Sequence, residues 1–155
     1  MKPNIGISDK DINKSVEILS TLLANEMVLY VKTRKFHWNA SGESFMELHK
    51  LFENQYNQLE ESIDEIAERI GKLGHKTIGT MTEFVKLSTL KEGPGKYPAS
   101  IDMLKELLKD HETIIKQLRT DIESCADKDA GTADFLTGLI EQHETISWTI
   151  RRYLN

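Results

Sequence analysis

The stretch SFMELHKLFENQYNQLEESIDEIAERIGKL, residues 44–73, is the most informative part of the sequence for the fold. Its apolar residues recur at spacings of three and four, which is typical of an amphipathic α-helix and differs from the strict alternation of a β-strand. These residues are Phe45, Leu48, Phe52, Tyr56, Leu59, Ile63, Ile66, Ile70 and Leu73. We therefore predict a long helix that starts between Gly42 and Ser44 and ends in the region 71–74.

Helical periodicity extends to three further segments, and no segment shows strand-like alternation. The earliest begins with Ser8 as its N-cap and has Asp11 three residues later. It ends near Trp38, because residues 39–42 have the composition of a turn. This segment is the first helix of the predicted fold.

A long connection separates the central helix from the last two. It contains a short amphipathic piece at residues 81–87 and ends in a Gly- and Pro-rich run at residues 93–98, and it is long enough to cross a bundle from end to end. The third long helix follows Ser100 as its N-cap, and the fourth starts after a turn at residues 127–132. The sequence thus predicts an all-α bundle of four helices with one crossover and a short extra helix inside that crossover.

Length and composition favour one globular domain over residues 1–155, with residues 1–7 as a short flexible arm. No apolar run approaches the about 20 residues that span a bilayer, and the N-terminus lacks the apolar region of a secretory signal, so we expect a cytoplasmic protein without a membrane partner. The single cysteine, Cys125, excludes an internal disulfide and a thiolate-rich metal site. The net charge of -5 disfavours a dedicated nucleic-acid-binding protein and suits one that handles cations.

The central helix carries a second, polar face of potential metal ligands. His49 and Glu53 are four residues apart, and so are Asp64 and Glu68, so that each pair places two side chains one above the other. His37, at the end of the first helix, can reach the region of His49. The two pairs lie about 22 Å apart along a straight helix, whereas a metal–ligand bond is about 2 Å long, so one ion cannot bind both pairs of one chain.

Two copies of this helix that cross antiparallel at a two-fold axis would bring the pairs together and build two identical sites per dimer. Two imidazoles and three carboxylates suit Fe(II), with Mn²⁺, Co²⁺ and Zn²⁺ as competitors, and the carboxylates favour oxidation to Fe(III). The in-chain alternative requires Glu-x-x-His motifs, and none is present. The residues three positions before the five histidines are Arg34, Met46, Lys72, Leu108 and Ile140.

With these residues placed, the sequence resembles the Dps family (DNA protection during starvation), or mini-ferritins, over nearly its whole length. The resemblance rests on Lys-Phe-His-Trp-Asn at residues 35–39, on Gly42, Phe45, His49 and Glu53, and on Asp-Glu-Ile-Ala-Glu-Arg at residues 64–69, with weaker similarity at residues 80–89 and 132–135. It implies a ferritin-like four-helix subunit, assembly into a hollow dodecamer, and ferroxidase sites at the two-fold interfaces. It also implies hydrogen peroxide as the preferred oxidant and storage of Fe(III) oxide.

The resemblance assigns roles to particular residues. The iron positions of the family correspond to His37, His49, Glu53, Asp64 and Glu68. The family usually has Asp at position 53, and the extra methylene of Glu53 moves the carboxylate by about 1.5 Å. Trp38 matches a family tryptophan that is thought to take up oxidising equivalents. Asp134 matches an acid that lines an iron-entry pore at a three-fold axis, and Asp129 is a weaker candidate for that pore.

Alternative interpretations exist for several of these residues. Trp38 could equally be interface packing, and Asp134 a charge that favours the start of a helix. His111 and His143 lie on apolar stripes, where hydrogen-bonded core histidines are commoner than ligands. At the level of function, the alternatives are a protein that compacts DNA in the nucleoid with little ferroxidase activity, and a metal-free bundle that only oligomerises. Weak or absent DNA binding is expected, because twelve subunits of charge -5 would repel phosphates.

Overall fold

The computed structural model describes residues 3–155, and in that part of the chain it contains five helices and no strand. The helices are α1 (Asp9–Asn39), α2 (Phe45–Lys72), α3 (Met81–Leu87), α4 (Ser100–Cys125) and α5 (Ala130–Leu154). The long helices α1, α2, α4 and α5 form the bundle, with α1 packed on α2 and α4 packed on α5. The predicted all-α bundle with a short helix in its crossover is confirmed. None of the described helices is long and apolar enough to cross a membrane.

The apolar stripe predicted on α2 faces the core of the bundle. Phe52, Ile66 and Ile70 are fully buried there, and the four remaining buried members of the stripe are Leu48, Tyr56, Leu59 and Leu73. The other two residues of the stripe are less buried: Phe45 is 37% exposed, and Ile63 is half-buried. Because burial of each large apolar side chain contributes about 1.5–3 kcal/mol, this stripe fixes the rotation of α2 and thereby the direction in which its polar face points.

Among the predicted starts of α1, α4 and α5, the first is confirmed and the other two differ from the structure. The hydroxyl of Ser8 accepts a hydrogen bond from the Asp11 N–H at 3.2 Å, as predicted for the N-cap of α1. Ser100 is not the N-cap of α4: Ala99 occupies that position, and Ser100 instead donates its hydroxyl to the Ser41 carbonyl oxygen at 2.9 Å. Helix α5 starts inside the turn predicted at residues 127–132, because Asp129 caps it.

Gly74 ends α2 in a Schellman motif. The Gly74 N–H donates to the Gly71 carbonyl oxygen, and the His75 N–H donates to the Ile70 carbonyl oxygen. The φ of Gly74 is +82°, and a Cβ there would lie 2.5 Å from a side-chain carbon of Pro3, so both the conformation and the space require glycine. Pro3 therefore packs against the end of α2. The first two residues of the predicted arm lie outside the described residues.

The crossover is tied to α1 by a buried amide. The Asn25 side-chain oxygen accepts hydrogen bonds from the Ser88 hydroxyl and from the Thr89 N–H, both at 2.8 Å. Just before this segment, Thr80 and Glu83 form a capping box that starts α3. These contacts fix the connection that carries the chain from α2 to α4.

Asp129 joins three helices at one end of the bundle. Its carboxylate accepts hydrogen bonds from Ser15 of α1, from Thr132 of α5 and from the Arg69 guanidinium of α2, the last at 2.9 Å. Burial by itself raises the pKa of Asp129, but the hydrogen bonds from Thr132 and Ser15 and the charge of Arg69 outweigh burial and lower it. The carboxylate is thus held ionised in the folded chain.

A polar chain of three side chains crosses the middle of the core. Glu26 of α1, His143 of α5 and His111 of α4 are each at most 1% exposed. His143 contacts Glu26 through Nε2, at 2.7 Å, and His111 through Nδ1, at 2.8 Å. Because His143 uses opposite ring nitrogens, the three side chains do not converge on one point. Both histidines are therefore hydrogen-bonded core residues, and their geometry does not form a metal site.

We expect Asp129→Ala to lower the free energy of unfolding by about 2–4 kcal/mol, because it removes the cap of α5 and leaves the half-buried Arg69 guanidinium without its partner. Asp134→Ala is the matched control, since Asp134 is an exposed acid in the same helix, and its effect should stay within about 0.5 kcal/mol. Urea unfolding of both variants measures this. Equal losses in the two variants would contradict the assigned role of Asp129.

Acid should destabilise the protein through His111. Burial, and then the neighbouring His143, lower the pKa of His111 well below its ordinary value, so the folded chain keeps this ring neutral while the unfolded chain protonates it below about pH 6.5. Stability is therefore lost as the pH falls below about 6.5, by up to about 1.4 kcal/mol per pH unit from this group. Urea unfolding at pH 7.5 and 5.5 should show a smaller loss in His111→Leu than in the unchanged chain, whereas identical losses would refute the assignment.

Candidate metal centre

Two histidines meet where α1 turns into α2. His37 lies in the last turn of α1 and His49 near the start of α2, and their rings stack at a centroid distance of 3.7 Å with 20° between the planes. The turn between the helices contains Gly42 with φ +96°, a conformation that glycine adopts without strain. This tight corner brings the two rings together.

Each of these histidines is held by the other's backbone. His37 Nδ1 lies 2.8 Å from the His49 carbonyl oxygen, and His49 Nδ1 lies 3.0 Å from the His37 carbonyl oxygen. Because a carbonyl oxygen only accepts hydrogen bonds, both Nδ1 atoms donate, and in the neutral rings both Nε2 atoms keep their lone pairs. Proteins commonly orient a metal-binding histidine in this way, with one ring nitrogen donating a hydrogen bond and the other left to bind the metal.

Aromatic side chains support the pair. The Tyr56 ring meets the His37 ring edge-on at 5.2 Å, and the Phe45 ring lies 5.0 Å from that of His49. Trp38 and Met46 extend this apolar region outward and are 66% and 73% exposed. Such a cluster of exposed apolar side chains beside polar groups is typical of an interface with another protein surface.

Glu53 lies one turn after His49, close enough to interact electrostatically with both histidines. Its nearest partner is the Lys50 ammonium, whose nitrogen is 2.6 Å from the carboxylate. The hydrogen bond and the charge of Lys50 lower the pKa of Glu53, and the two histidines lower it further. The sequence signal for this pair is the spacing of three residues between Lys50 and Glu53 in one helix.

The other predicted ligands, Asp64 and Glu68, lie further along α2 and are both exposed. Glu68 is 3.4 Å from the Lys72 ammonium. Within residues 3–155 of one subunit, no group of three or more His, Cys, Asp and Glu side chains could hold a metal ion. The structure thus brings His37, His49 and Glu53 into one region of the subunit and leaves Asp64 and Glu68 in another.

The two predicted pore acids have different surroundings. Asp134 is exposed in the first turns of α5. Asp129 is 2% exposed, and both of its carboxylate oxygens are bonded within the subunit, as cap and ion-pair partner. The pore role therefore remains a prediction that rests on Asp134.

Comparisons with known proteins agree with this architecture. A family model described as a ferritin-like domain matches residues 16–155. An uncharacterized low temperature-induced protein of Nostoc sp. is 44% identical over 153 residues, which cover 97% of this chain and 86% of that protein. DNA protection during starvation protein 2 of Bacillus anthracis is 35% identical over 146 residues, which cover 93% of this chain and 99% of that protein.

A solved structure shares the fold over the full chain. The Dps protein of Vibrio cholerae O1, described as a member of a broad superfamily of ferritin-like diiron-carboxylate proteins, superposes with a TM-score of 0.93. It is 30% identical, and the match covers 100% of this chain and 98% of that one. On its sequence, its helices and these relatives, the chain belongs to the Dps family of ferritin-like proteins.

Proposed function

We propose that this protein oxidises Fe(II) at sites shared between two subunits, with hydrogen peroxide as the oxidant, and stores the resulting Fe(III) oxide inside a hollow dodecamer. The single observation that carries the proposal is the reciprocal hydrogen bonding of His37 and His49, which leaves two Nε2 lone pairs available at one corner of the subunit.

One subunit holds only half of a complete ligand set near this corner. Glu53 is the carboxylate beside the histidines, and Asp64 and Glu68 lie more than ten residues further along the same helix. Two α2 helices that cross antiparallel at a two-fold axis place the acidic half of one subunit against the histidine half of the other. The exposed Trp38, Phe45 and Met46 beside the histidines supply apolar surface for such a contact.

The ligand set suits the chemistry of iron. Imidazole nitrogens and carboxylate oxygens bind Fe(II), and the charge of three carboxylates stabilises Fe(III) more than Fe(II), which favours the loss of an electron. Two Fe(II) ions supply the two electrons that reduce one hydrogen peroxide, with two protons, to two waters. Binding two ions in one site therefore allows peroxide to be consumed without release of hydroxyl radical. Zn²⁺, Mn²⁺ and Co²⁺ are expected to compete for the same ligands.

Two roles implied by the family resemblance are part of the proposal. Trp38 lies next to His37 in the sequence, where it can take up oxidising equivalents or pack in the interface. Asp134 is an exposed acid at the start of α5, which is compatible with lining an entry path for cations. The expected location is the cytoplasm.

Paired variants test whether each site is shared. His37→Ala with His49→Ala removes the histidine half, and Asp64→Ala with Glu68→Ala removes the acidic half, so an assembly of either variant alone should lose most peroxide-driven Fe(II) oxidation. In a coexpressed one-to-one mixture, half of the dimers contain both variants and each of these holds one intact site, which restores about a quarter of all sites. Initial rates of Fe(II) oxidation under anaerobic conditions measure this.

The control for this experiment is a mixture of the two variants that were assembled separately, which should stay inactive. A coexpressed assembly no more active than that control would show that the two halves do not combine across subunits. Substantial activity in either single-variant assembly would contradict the assignment of its ligands.

DNA binding is expected to be weak or absent. Two of the basic side chains near the ends of the described chain are paired with acids, Lys14 with Glu17 and Arg151 with Glu112, and the net charge is -5. Because phosphate binding requires unpaired clusters of positive charge, we expect no gel shift of duplex DNA at about 150 mM salt. A clear shift under those conditions would favour the alternative function of a DNA-compacting protein.

A further inference from the structure

Two of the carboxylates proposed to bind iron are each held by a lysine of the same helix. Lys50 lies 2.6 Å from Glu53, and Lys72 lies 3.4 Å from Glu68. Comparable pairs three residues apart elsewhere in the described chain are longer, at 3.3 Å for Lys14 with Glu17 and 3.2 Å for Lys105 with Asp102. The ammonium at Glu53 is thus the closest of these helix-surface lysine contacts.

This contact lies at the point where a metal ion has to bind. Glu53 is the carboxylate that interacts electrostatically with both His37 and His49, and its side chain is 35% exposed. A carboxylate oxygen that accepts a hydrogen bond from an ammonium at 2.6 Å must give up that bond, or share the oxygen, to bind a cation. The positive charge of Lys50 also repels an arriving divalent ion.

Moving the Lys50 ammonium away from Glu53 costs little free energy. Its side chain is 68% exposed, and its flexible stem can move the ammonium into water without loss of packing. Exposed ion pairs contribute little to folding, so the pair has little value as a stabilising contact and can open readily. The lysine can therefore occupy the carboxylate in the absence of metal and leave when a stronger cation arrives.

We propose that Lys50 is a resident counter-cation that competes with Fe(II) for Glu53 and thereby sets the metal affinity of the histidine half of the site. The inference rests on the proposed function, because it takes Glu53 to be a ligand. Lys72 acts in the same way on Glu68, but more weakly, because its contact is longer. Since Asp64 has no lysine partner among the described residues, it is the carboxylate most readily available to a first ion.

The test measures binding of Co(II), whose visible absorption reports nitrogen and oxygen ligands without oxidation. Lys50→Met keeps a long unbranched side chain and removes the charge, and we expect Co(II) to bind about two- to five-fold more tightly to the assembled variant than to the unchanged protein. Lys50→Arg keeps both the charge and the pair and should bind Co(II) with nearly the original affinity.

The matched control is Lys105→Met, which makes the same change in net charge and breaks a similar pair, with Asp102 of α4. It should leave Co(II) affinity unchanged. Unaltered affinity in Lys50→Met would overturn the proposal, and so would equal tightening in Lys50→Met and Lys105→Met, since that would reflect net charge alone.

Failure of the underlying function has a different signature. If the unchanged assembly gave the same Co(II) absorption as the variant that lacks both His37 and His49, there would be no histidine-containing site, and both proposals would fall. If those two differed while Lys50→Met had no effect, only the role of Lys50 would be refuted.

Discussion

The reciprocal hydrogen bonds between His37 and His49 are the interaction on which the candidate metal centre depends. Each ring donates Nδ1–H to the other's backbone, so the two side chains and the corner between α1 and α2 hold one another in place. If these rings bind an ion as proposed, neither ring has to be ordered on binding, and little of the binding free energy is lost in arranging the ligands. The exposed apolar side chains beside this corner then explain why the site is suited to an interface.

The length and rigidity of α2 impose the second constraint. A helix that carries candidate ligands at both ends keeps them too far apart for one ion, and it keeps them at a fixed distance and rotation. Its buried stripe locks the rotation, so the polar face with His49, Glu53, Asp64 and Glu68 is presented outward. Under the proposed function, a complete site is therefore a property of the assembly, and oxidation of Fe(II) by one subunit requires its neighbour.

The interior of the bundle is occupied by a different kind of polar group. Glu26, His143 and His111 form a linear chain of contacts, with one carboxylate oxygen of Glu26 and Nε2 of His111 unpartnered. Such a chain stabilises one arrangement of α1, α4 and α5, and it is expected to lose stability in acid. Its nitrogen and oxygen atoms do not converge on a point where a metal ion could bind. The polar chain in the core thus serves folding, and it is separate from the residues proposed to bind iron.

The helices, the buried stripe of α2 and the two pairs of candidate ligands could be predicted from the sequence, because these features follow from a repeat of three to four residues that is local to the chain. Ser8 as a cap and the position of His37 before the turn were visible for the same reason. Contacts between residues distant in the chain follow from the packing of the helices: the Glu26–His143 contact joins positions 117 apart, and Asp129 caps α5 while it pairs with Arg69 of α2. Ser100 does not cap α4, because its hydroxyl donates to the Ser41 carbonyl oxygen in another turn. Such contacts depend on how whole helices pack against each other, which no local spacing encodes.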